Sequence, residues 1–280
     1  MSAAAEKEFA FTRDDFEFLR TLANQHTGIV VNDDKFDMFY SRLSRRVRAL
    51  GMQTFAQYCS FLRDNRDGEE TIELVNAITT NLTAFFRENH HFEYLREHAI
   101  PERMAQAGNS RKLEIWSAGC STGEEPYSLA MTLGEMRTQL GGWQLGITAT
   151  DIDSNVLSKA ASGVYAQDRV SGIAKDRLRR WFLRGTGKQA GMVRVKPELR
   201  RQIEFRQLNL MQGWSEEPKD IIFCRNVIIY FDKESKQRLV ERYAETLKPG
   251  GFLFIGHSES LYKVSDRFEL IGNTVYRKIR

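Results

Sequence analysis

Short apolar segments of strand length alternate with helical segments after residue 101 of the sequence. Parallel strands need a crossover connection, which is usually a helix, so this alternation predicts an α/β fold with a parallel, doubly wound sheet. The last two segments flank Gly272 and Asn273 and predict an antiparallel hairpin, which would make the sheet mixed. The predicted strands are residues 113–117, 145–150, 203–207, 220–224, 252–255, 268–271 and 275–278, and the predicted helices are residues 124–136, 154–161 and 233–247.

The interval between Gly163 and Ile203 interrupts this alternation. It has about forty residues, which is too many for a simple connection between two elements. Residues 176–182 have a helical pattern, Gly185 and Gly187 predict a turn, and residues 192–195 (MVRV) predict a strand. We therefore expect a small inserted β-subdomain at residues 164–202.

Residues 1–78 predict a small all-helical N-terminal domain, because apolar residues recur there at helical spacing. Thr12 and Asp15 predict a capped first helix. A second helix from about Asp33 ends before Gly51, a residue type that favours the backbone conformation found after a helix. Two further helices are predicted at residues 54–62 and 69–78. On the second helix Arg42, Arg45 and Arg48 point away from the apolar stripe, and Arg46 flanks it.

The composition excludes several classes of protein. The 280 residues include 41 Lys and Arg and 37 Asp and Glu, a net charge of 41 − 37 = +4, and 41% are hydrophobic. These values exclude collagen, low-complexity disorder and a coiled coil. Apolar runs of about 18 residues are missing, so we expect no membrane-spanning helix. Residues 1–11 lack the apolar core of a signal peptide, and the three cysteines form no CxxC pair, so we expect a reduced, cytoplasmic protein.

Residues 117–125 (SAGCSTGEE) form a glycine-rich turn between the first predicted strand and a helix. Glycines at the end of the first parallel strand let the backbone approach a ligand closely. Glu124 and Glu125 begin the helix, where they would repel the pyrophosphate of a dinucleotide, so a nicotinamide dehydrogenase is disfavoured. The two acids either stabilise the helix start or hold a cationic group such as an ammonium or a sulfonium.

Polar residues also follow the next three predicted strands. Asp151 is placed to accept hydrogen bonds from ribose hydroxyls or to cap a helix, a role that Asp153 or Ser154 could fill equally well. Asn209 and Asn226 each have a donor and an acceptor, which suits an adenine edge or an amino-acid backbone, although asparagine is also common in turns. Because ligands bind at the carboxyl ends of parallel strands, we expect these side chains to converge.

Five motifs follow one another in order along the chain. They are residues 80–87 (TNLTAFFR) with His91 and Phe92, residues 117–128 (SAGCSTGEEPYS), residues 149–153 (ATDID), residues 223–231 (FCRNVIIYF) and residues 256–259 (GHSE). Together they resemble the motifs of the CheR-type methyltransferases, which modify glutamates of bacterial chemoreceptors. The resemblance runs from about residue 10 to residue 278. Each motif alone is moderately specific, and the ordered set is highly specific.

The resemblance implies a Rossmann-like S-adenosylmethionine-dependent methyltransferase domain at residues 101–280, with the β-subdomain inserted in it. It also implies that a linker at residues 79–100 contributes to the cofactor site. The cofactor contacts implied by the motifs are Asn81, Thr83, Arg87, Glu125, Asp151, Asn209, Leu210, Asn226 and Val227.

The implied reaction transfers the sulfonium methyl group to a glutamate γ-carboxylate and yields a methyl ester and S-adenosylhomocysteine, without a metal. A glutamate with a pKa of about 4.3 is already ionised at pH 7, so the nucleophile needs no general base. We expect Arg87 to orient the substrate carboxylate or the cofactor and Tyr230 to bound the methyl pocket. The alternatives are a salt bridge between domains for Arg87 and packing at a strand end for Tyr230.

The resemblance further implies two contacts with the cytoplasmic domains of chemoreceptors. A basic face would dock on acidic receptor helices, unless it is an ordinary solvated surface. The β-subdomain would bind a C-terminal receptor pentapeptide by strand addition, as in some family members, unless its hairpin is closed. Nucleic acid and direct membrane insertion are not expected. The basic face is formed by Arg42, Arg45, Arg46 and Arg48.

Two other functions remain as alternatives. A nucleic-acid methyltransferase uses the same cofactor fold, but residues 225–228 (RNVI) lack the Asn/Asp-Pro-Pro-aromatic pattern of such enzymes. A non-catalytic binding module would keep the fold and bind S-adenosylhomocysteine weakly or not at all. His90 and His91 are adjacent, so we expect them to face different directions on a helix and not to form a metal pair.

Overall fold

The structure is a computed structural model that describes residues 7–108 and 110–280. Residues 1–6, which begin both the predicted helical domain and the segment judged not to be a signal peptide, lie outside the described residues. By backbone contacts the described chain divides into two compact units. The first extends to Thr80 and includes Tyr230–Asp232, and the second comprises Asn81–Ile229 and Lys233–Arg280.

The first unit is helical, with α1 (Arg13–Thr27), α2 (Phe36–Ala49), α3 (Phe55–Asp64) and α4 (Glu69–Ile78), and a 3₁₀ turn at Asp33–Lys35. Thr12 caps α1, since its hydroxyl accepts from the Asp15 N–H at 3.1 Å and the Asp15 carboxylate accepts from the Thr12 N–H at 2.9 Å. Gly51 follows α2 with φ +67°, a left-handed backbone that glycine adopts without strain. Phe16 and Phe39 pack edge to face in the core. The predicted helices of this region are confirmed.

The second unit contains a mixed sheet and a smaller antiparallel sheet. In chain order its strands are β1 (Lys112–Ala118), β2 (Gln144–Asp151), β3 (Val164–Ala166), β4 (Phe182–Arg184), β5 (Met192–Val195), β6 (Ile203–Gln207), β7 (Lys219–Cys224), β8 (Leu247–Ile255), β9 (Phe268–Gly272) and β10 (Val275–Lys278).

The mixed sheet has the strand order β6-β2-β1-β7-β8-β10-β9. Strands β6 to β8 of this order are parallel, and β10 is antiparallel to both β8 and β9. The predicted mixed, doubly wound sheet is therefore confirmed. Since β2 and β7 lie on opposite sides of β1, the strand order reverses there, which opens the crevice where such sheets bind ligands.

Helices cover the mixed sheet and connect its strands. The chain enters β1 through α5 (His90–Tyr94), a π-helical turn at Leu95–Ala99, and α6 (Ile100–Gln106). In the core, the rings of Phe223 and Phe254 stack with their centroids 4.3 Å apart. The remaining helices are α7 (Glu124–Glu135), α8 (Ser154–Ser162), α9 (Lys175–Trp181), α10 (Pro197–Arg200) and α11 (Lys233–Thr246), with 3₁₀ turns at Gln167–Val170, Gly187–Gln189 and Ile228–Tyr230.

The smaller sheet, of order β3-β5-β4, lies in the interval that interrupts the alternation. The predicted strand at residues 192–195 is confirmed as β5. The predicted helix is one residue too long at its end, because α9 stops at Trp181 and Phe182 begins β4, where it pairs with Val195 of β5. Within the described residues, the helices are all too short or too polar to cross a membrane.

Candidate active site

The glycine-rich loop after β1 has an unusual backbone that brings it close to the end of β7. Gly119, Ser121 and Gly123 have φ values of +85°, +49° and +97°, in the left-handed region. A Cβ on Gly119 would lie 2.4 Å from Val227 Cγ2, so only glycine permits this approach. The N–H groups of Gly119 and Cys120 donate to the carbonyl of Thr150 at 2.8 and 2.9 Å, which fixes the loop to the end of β2.

Asp151 ends β2 and joins this loop. Its carboxylate accepts from the backbone N–H of Ser121 at 2.7 Å and from that of Asp153 at 3.0 Å. Burial raises the pKa of Asp151 to about 6. Asp153, not Asp151, caps α8 by accepting from the N–H groups of Asn155 and Val156. The structure thus removes the capping role that the sequence left open for Asp151.

Asn81 and Thr83 reach the same edge of the sheet from the segment before α5. The Asn81 amide donates to Asp153 Oδ2 at 2.8 Å, and the Ser121 hydroxyl donates to the Asn81 carbonyl at 3.1 Å. The Thr83 carbonyl accepts from Arg169 at 2.8 Å. Asn81 therefore lies beside the glycine-rich loop and the end of β2.

Glu124 and Glu125, the two acids at the start of α7, have different partners. Glu124 is fully buried and its carboxylate accepts from the Arg169 guanidinium at 2.5 Å, so its charge is neutralised within the protein. Glu125 accepts from the Ser117 hydroxyl at 2.7 Å and lies 3.3 Å from Arg225 Nη1. Burial raises the pKa of Glu125, and the nearby Arg225 acts in the opposite direction. Glu125 is the better placed of the two acids to face a cationic ligand group.

Arg225 is a site residue that the sequence analysis missed. Its side chain is only 3% exposed, immediately after the buried strand β7. It bridges Glu125 and Glu88, whose Oε2 lies 3.5 Å from Nη2, and it also donates to the Arg87 carbonyl. A buried arginine needs such partners. An arginine directly after an apolar strand pattern was therefore the feature of the sequence that could have indicated this site residue.

Arg87 itself lies in a strained segment, because its neighbours Phe86 and Glu88 have φ values of +54° and +55°. Its guanidinium donates to the Leu82 carbonyl at 2.8 Å and its Nε lies 4.0 Å from Glu88 Oε1. The side chain remains one-third exposed. Arg87 is thus held beside Arg225 through its backbone while its guanidinium stays accessible.

The other implied cofactor contacts follow β6 and β7. The Leu208 N–H donates to the Asp151 carbonyl at 2.9 Å, which brings Asn209 and Leu210 to the end of β2. The Asn209 side chain accepts from the Met211 N–H at 2.9 Å, as a turn residue does. Val227 contacts the Gly119 backbone as described above.

Asn226 has φ +59° and its N–H donates to Glu259 Oε2 at 2.9 Å. The buried Glu259 also accepts from the N–H groups of Gly256 at 2.5 Å and Ile229 at 3.2 Å. Glu259 lies in the last resemblance motif but was not chosen as a site residue. Its carboxylate holds the loop after β7 in its left-handed conformation.

Tyr230 lies in the first unit. Its carbonyl accepts from the Val30 N–H at 2.8 Å, and the next residue, Phe231, forms an antiparallel bridge with Ile29. The role of Tyr230 at the methyl pocket stays a prediction.

The basic face of α2 is heterogeneous. Arg42 donates to the carbonyls of Ile78 and Thr79 at 2.8 and 2.7 Å and so caps the end of α4. Arg46 forms a two-point ion pair with the buried Glu70. Arg48 pairs with Glu8 at the surface. Arg45 is exposed and has no ion pair with any described residue, so it is available to a partner. Arg48 is also exposed, but a partner would have to replace Glu8.

His90 and His91 do not face different directions, so that expectation is wrong. Their ring centroids are 4.2 Å apart. Glu88 turns the chain with its left-handed backbone just before α5, and His90 is the first residue of that short helix. The spacing rule for adjacent residues inside a regular helix therefore does not apply here.

Comparison with known families gives two matches that together cover most of the chain. The family described as "CheR methyltransferase, all-alpha domain" matches residues 14–79. The family described as "CheR methyltransferase, SAM binding domain" matches residues 81–277.

Individual relatives are similar over nearly their full length. A "Chemotaxis protein methyltransferase 2" of Pseudomonas aeruginosa is 47% identical over 96% of this chain and 95% of its own. A "Chemotaxis protein methyltransferase" of Escherichia coli is 44% identical over 96% of this chain and 92% of its own. Among solved structures, the glycopeptide N-methyltransferase MtfA with sinefungin is 13% identical, covers 72% of this chain and 62% of its own, and superposes with a TM-score of 0.36.

Proposed function

The chain belongs to the CheR methyltransferase family, and from this premise we propose that it methylates glutamate side chains of bacterial chemoreceptors for sensory adaptation. The products would be glutamate methyl esters and S-adenosylhomocysteine. The observation that supports this most directly is the glycine-rich loop, which contacts Glu125 through Ser117 and Asp151 through Ser121. The loop thereby contacts two acids, one at the start of α7 and one at the end of β2.

The side chains at this edge fit S-adenosylmethionine, which when bound supplies a methyl group on a positively charged sulfur. A carboxylate offers about four lone-pair sites, so Glu125 and Asp151 keep acceptor capacity beyond their protein partners. Glu125 would accept from the ammonium or a ribose hydroxyl, and Asp151 would accept from ribose. Asn209 would lie near adenine. The remaining contacts in this proposal are Asn81, Thr83, Arg87, Leu210, Asn226 and Val227.

The proposed reaction depends on the alignment and desolvation of the substrate carboxylate more than on proton transfer. A glutamate nucleophile is ionised at neutral pH, so this chain must align it and reduce its hydration. The Arg87 side chain is one-third exposed at this edge, and we assign it the orientation of a carboxylate. Arg225, in contrast, is buried and would hold Glu125 in place.

Two surfaces are proposed for the receptor, whose modified domains would place the enzyme in the cytoplasm. Arg45 and Arg48 would attract acidic receptor helices. Strand β4 pairs with β5 on one side, so its other edge is available for strand addition by a receptor pentapeptide. Leu183 of β4 is 49% exposed, which suits a peptide side chain.

Transfer of a radiolabelled methyl group from S-adenosylmethionine tests the proposed reaction. The full chain is incubated with a receptor cytoplasmic domain, with and without its C-terminal pentapeptide, and separately with DNA and RNA. We expect label in the receptor that alkali releases as methanol, because methyl esters are base-labile, and a faster rate when the pentapeptide is present.

The other outcomes each point elsewhere. Base-stable label or label in nucleic acid would contradict glutamate methylation. No label, together with weak or absent binding of S-adenosylhomocysteine, would indicate a non-catalytic binding module. Equal rates for the receptor domain with and without its pentapeptide would contradict the proposed pentapeptide contact, but not the proposed methylation.

A further inference from the structure

A cluster beside Arg87 contains three side chains that the proposed methyl transfer does not use directly. Glu88, His90 and His91 each place one potential ligand atom within 4.8 Å of the others. Glu88 Oε2, His90 Nε2 and His91 Nδ1 are buried atoms without a hydrogen-bond partner among the described residues. Since buried polar atoms nearly always have a partner, three such atoms in one cluster indicate a common one.

The surroundings of His91 determine which of its nitrogens can bind. His91 is fully buried, and its Nε2 lies 3.0 Å from the Asn273 carbonyl and 3.0 Å from the Thr274 hydroxyl. A carbonyl only accepts, so Nε2 carries the hydrogen and the lone pair lies on Nδ1. Metal-binding histidines commonly have the same arrangement, with the second nitrogen held by a carbonyl.

Glu88 supplies the anionic member of the cluster. Its Oε1 contacts His257 Nδ1 at 2.8 Å, which leaves Oε2 directed at His91 Nδ1, 3.5 Å away. One carboxylate and two imidazoles are thus available on one short segment.

The charges around the cluster limit which ion fits. Arg225 Nη2 is 3.5 Å from Glu88 Oε2, and Arg87 Nε is 4.0 Å from Oε1. Hard ions such as Ca²⁺ and Mg²⁺ need several oxygen ligands, which this cluster lacks. Zn²⁺ accepts two imidazoles and one carboxylate at about 2.0–2.2 Å, which matches the donor types of this cluster.

We propose that Glu88 Oε2, His90 Nε2 and His91 Nδ1 form a three-ligand site for Zn²⁺ or a similar transition-metal ion. The site departs from the metal-free expectation of the sequence analysis. An ion there competes with Arg225 for Glu88, so it binds against a local positive charge and its affinity is moderate. The inference stands on this cluster and does not depend on the proposed reaction.

Cobalt provides the test, because Co²⁺ occupies zinc sites and has a visible absorption band. The untagged full chain is treated with a chelator, titrated with Co²⁺, and then with Zn²⁺. We expect one equivalent of Co²⁺ to give a band that Zn²⁺ abolishes. His90→Ala should weaken binding about tenfold or more. His98→Ala, which removes an exposed histidine on the same segment, should leave it unchanged.

Three results would overturn the proposal. One is the lack of a one-equivalent Co²⁺ band. Another is an unchanged titration in His90→Ala, provided that circular dichroism shows the variant to be folded. The third is a crystal structure of zinc-treated protein with an ordered water, and no metal, in contact with the three atoms.

Discussion

Asp151 is a buried residue whose carboxylate can still accept hydrogen bonds from a ligand. The residue is 8% exposed, yet its carboxylate holds the glycine-rich loop through Ser121 and keeps lone pairs for a ligand. Because burial raises its pKa to about 6, the charge of this carboxylate changes close to neutral pH. If Asp151 binds the cofactor as proposed, its protonation state links cofactor affinity to pH.

We predict that the affinity for S-adenosylhomocysteine falls on acidification. Ribose hydroxyls that donate to Asp151 favour its ionised form, so the bound ligand lowers the pKa of Asp151. Below about pH 6 the free protein therefore carries a proton on Asp151 that it must lose when the ligand binds. The association constant should fall by up to tenfold for each pH unit below that value. Calorimetric titrations at several pH values measure it.

Two variants isolate the contribution of this residue. Asp151→Asn should bind S-adenosylhomocysteine more weakly above pH 6, and its affinity should change less with pH. We assign any pH dependence that remains to Glu125, whose pKa is also raised. Asp176→Asn, a change at an exposed acid of α9, should behave like the unmodified chain. A flat profile in the unmodified chain would show that Asp151 does not bind the ligand as an anion.

Single residues also show how far sequence reasoning reaches. The place of Asp151 at the end of β2 could be predicted, because it follows an apolar strand pattern, whereas its role as a cofactor contact stays a prediction. Arg225 and Glu259 could not be identified from spacing, since their roles depend on partners distant in sequence, such as Glu125 and Asn226. The relation between His90 and His91 was predicted wrongly, because a left-handed Glu88 precedes them.

At the level of elements, some arginines of α2 form contacts within the protein and others are exposed to solvent. Arg42 and Arg46 satisfy carbonyls and a buried acid, whereas Arg45 is exposed. A run of basic residues on one helix is therefore a poor measure of how much charge a partner would meet. Arg45 is the informative position for receptor docking.

We predict that Arg45→Glu slows receptor methylation several-fold at low salt, because it replaces attraction to acidic helices by repulsion. The difference should shrink as salt screens the charges. S-adenosylhomocysteine affinity should stay unchanged. Initial rates at low and high salt measure the effect, and Arg66→Glu, an equal charge change at another exposed arginine of the first unit, is the control. Equal rates in both variants would argue against docking through α2.

The strands and helices that carry a full periodic pattern were predictable, and the shortest ones were not. The strand at residues 203–207 has the bounds of β6, and the helix at residues 69–78 those of α4. Strands β3 and β4 have only three residues each, too few to show alternation, and their pairing with β5 decides their conformation.

In the whole molecule, we assign different tasks to the two units. The second unit contains the strand ends, the glycine-rich loop and the acids to which we assign the cofactor. The first unit contains the accessible arginines of α2 to which we assign receptor docking. The proposed boundaries at residues 78, 100, 164 and 202 remain predictions.

The most direct test of the central claim is a crystal structure of the full chain with S-adenosylhomocysteine. The account predicts density at the carboxyl ends of β1, β2 and β7, with the ligand within hydrogen-bonding distance of Glu125 and Asp151. Density for the ligand at another place, or at this edge without a contact to either acid, would contradict it.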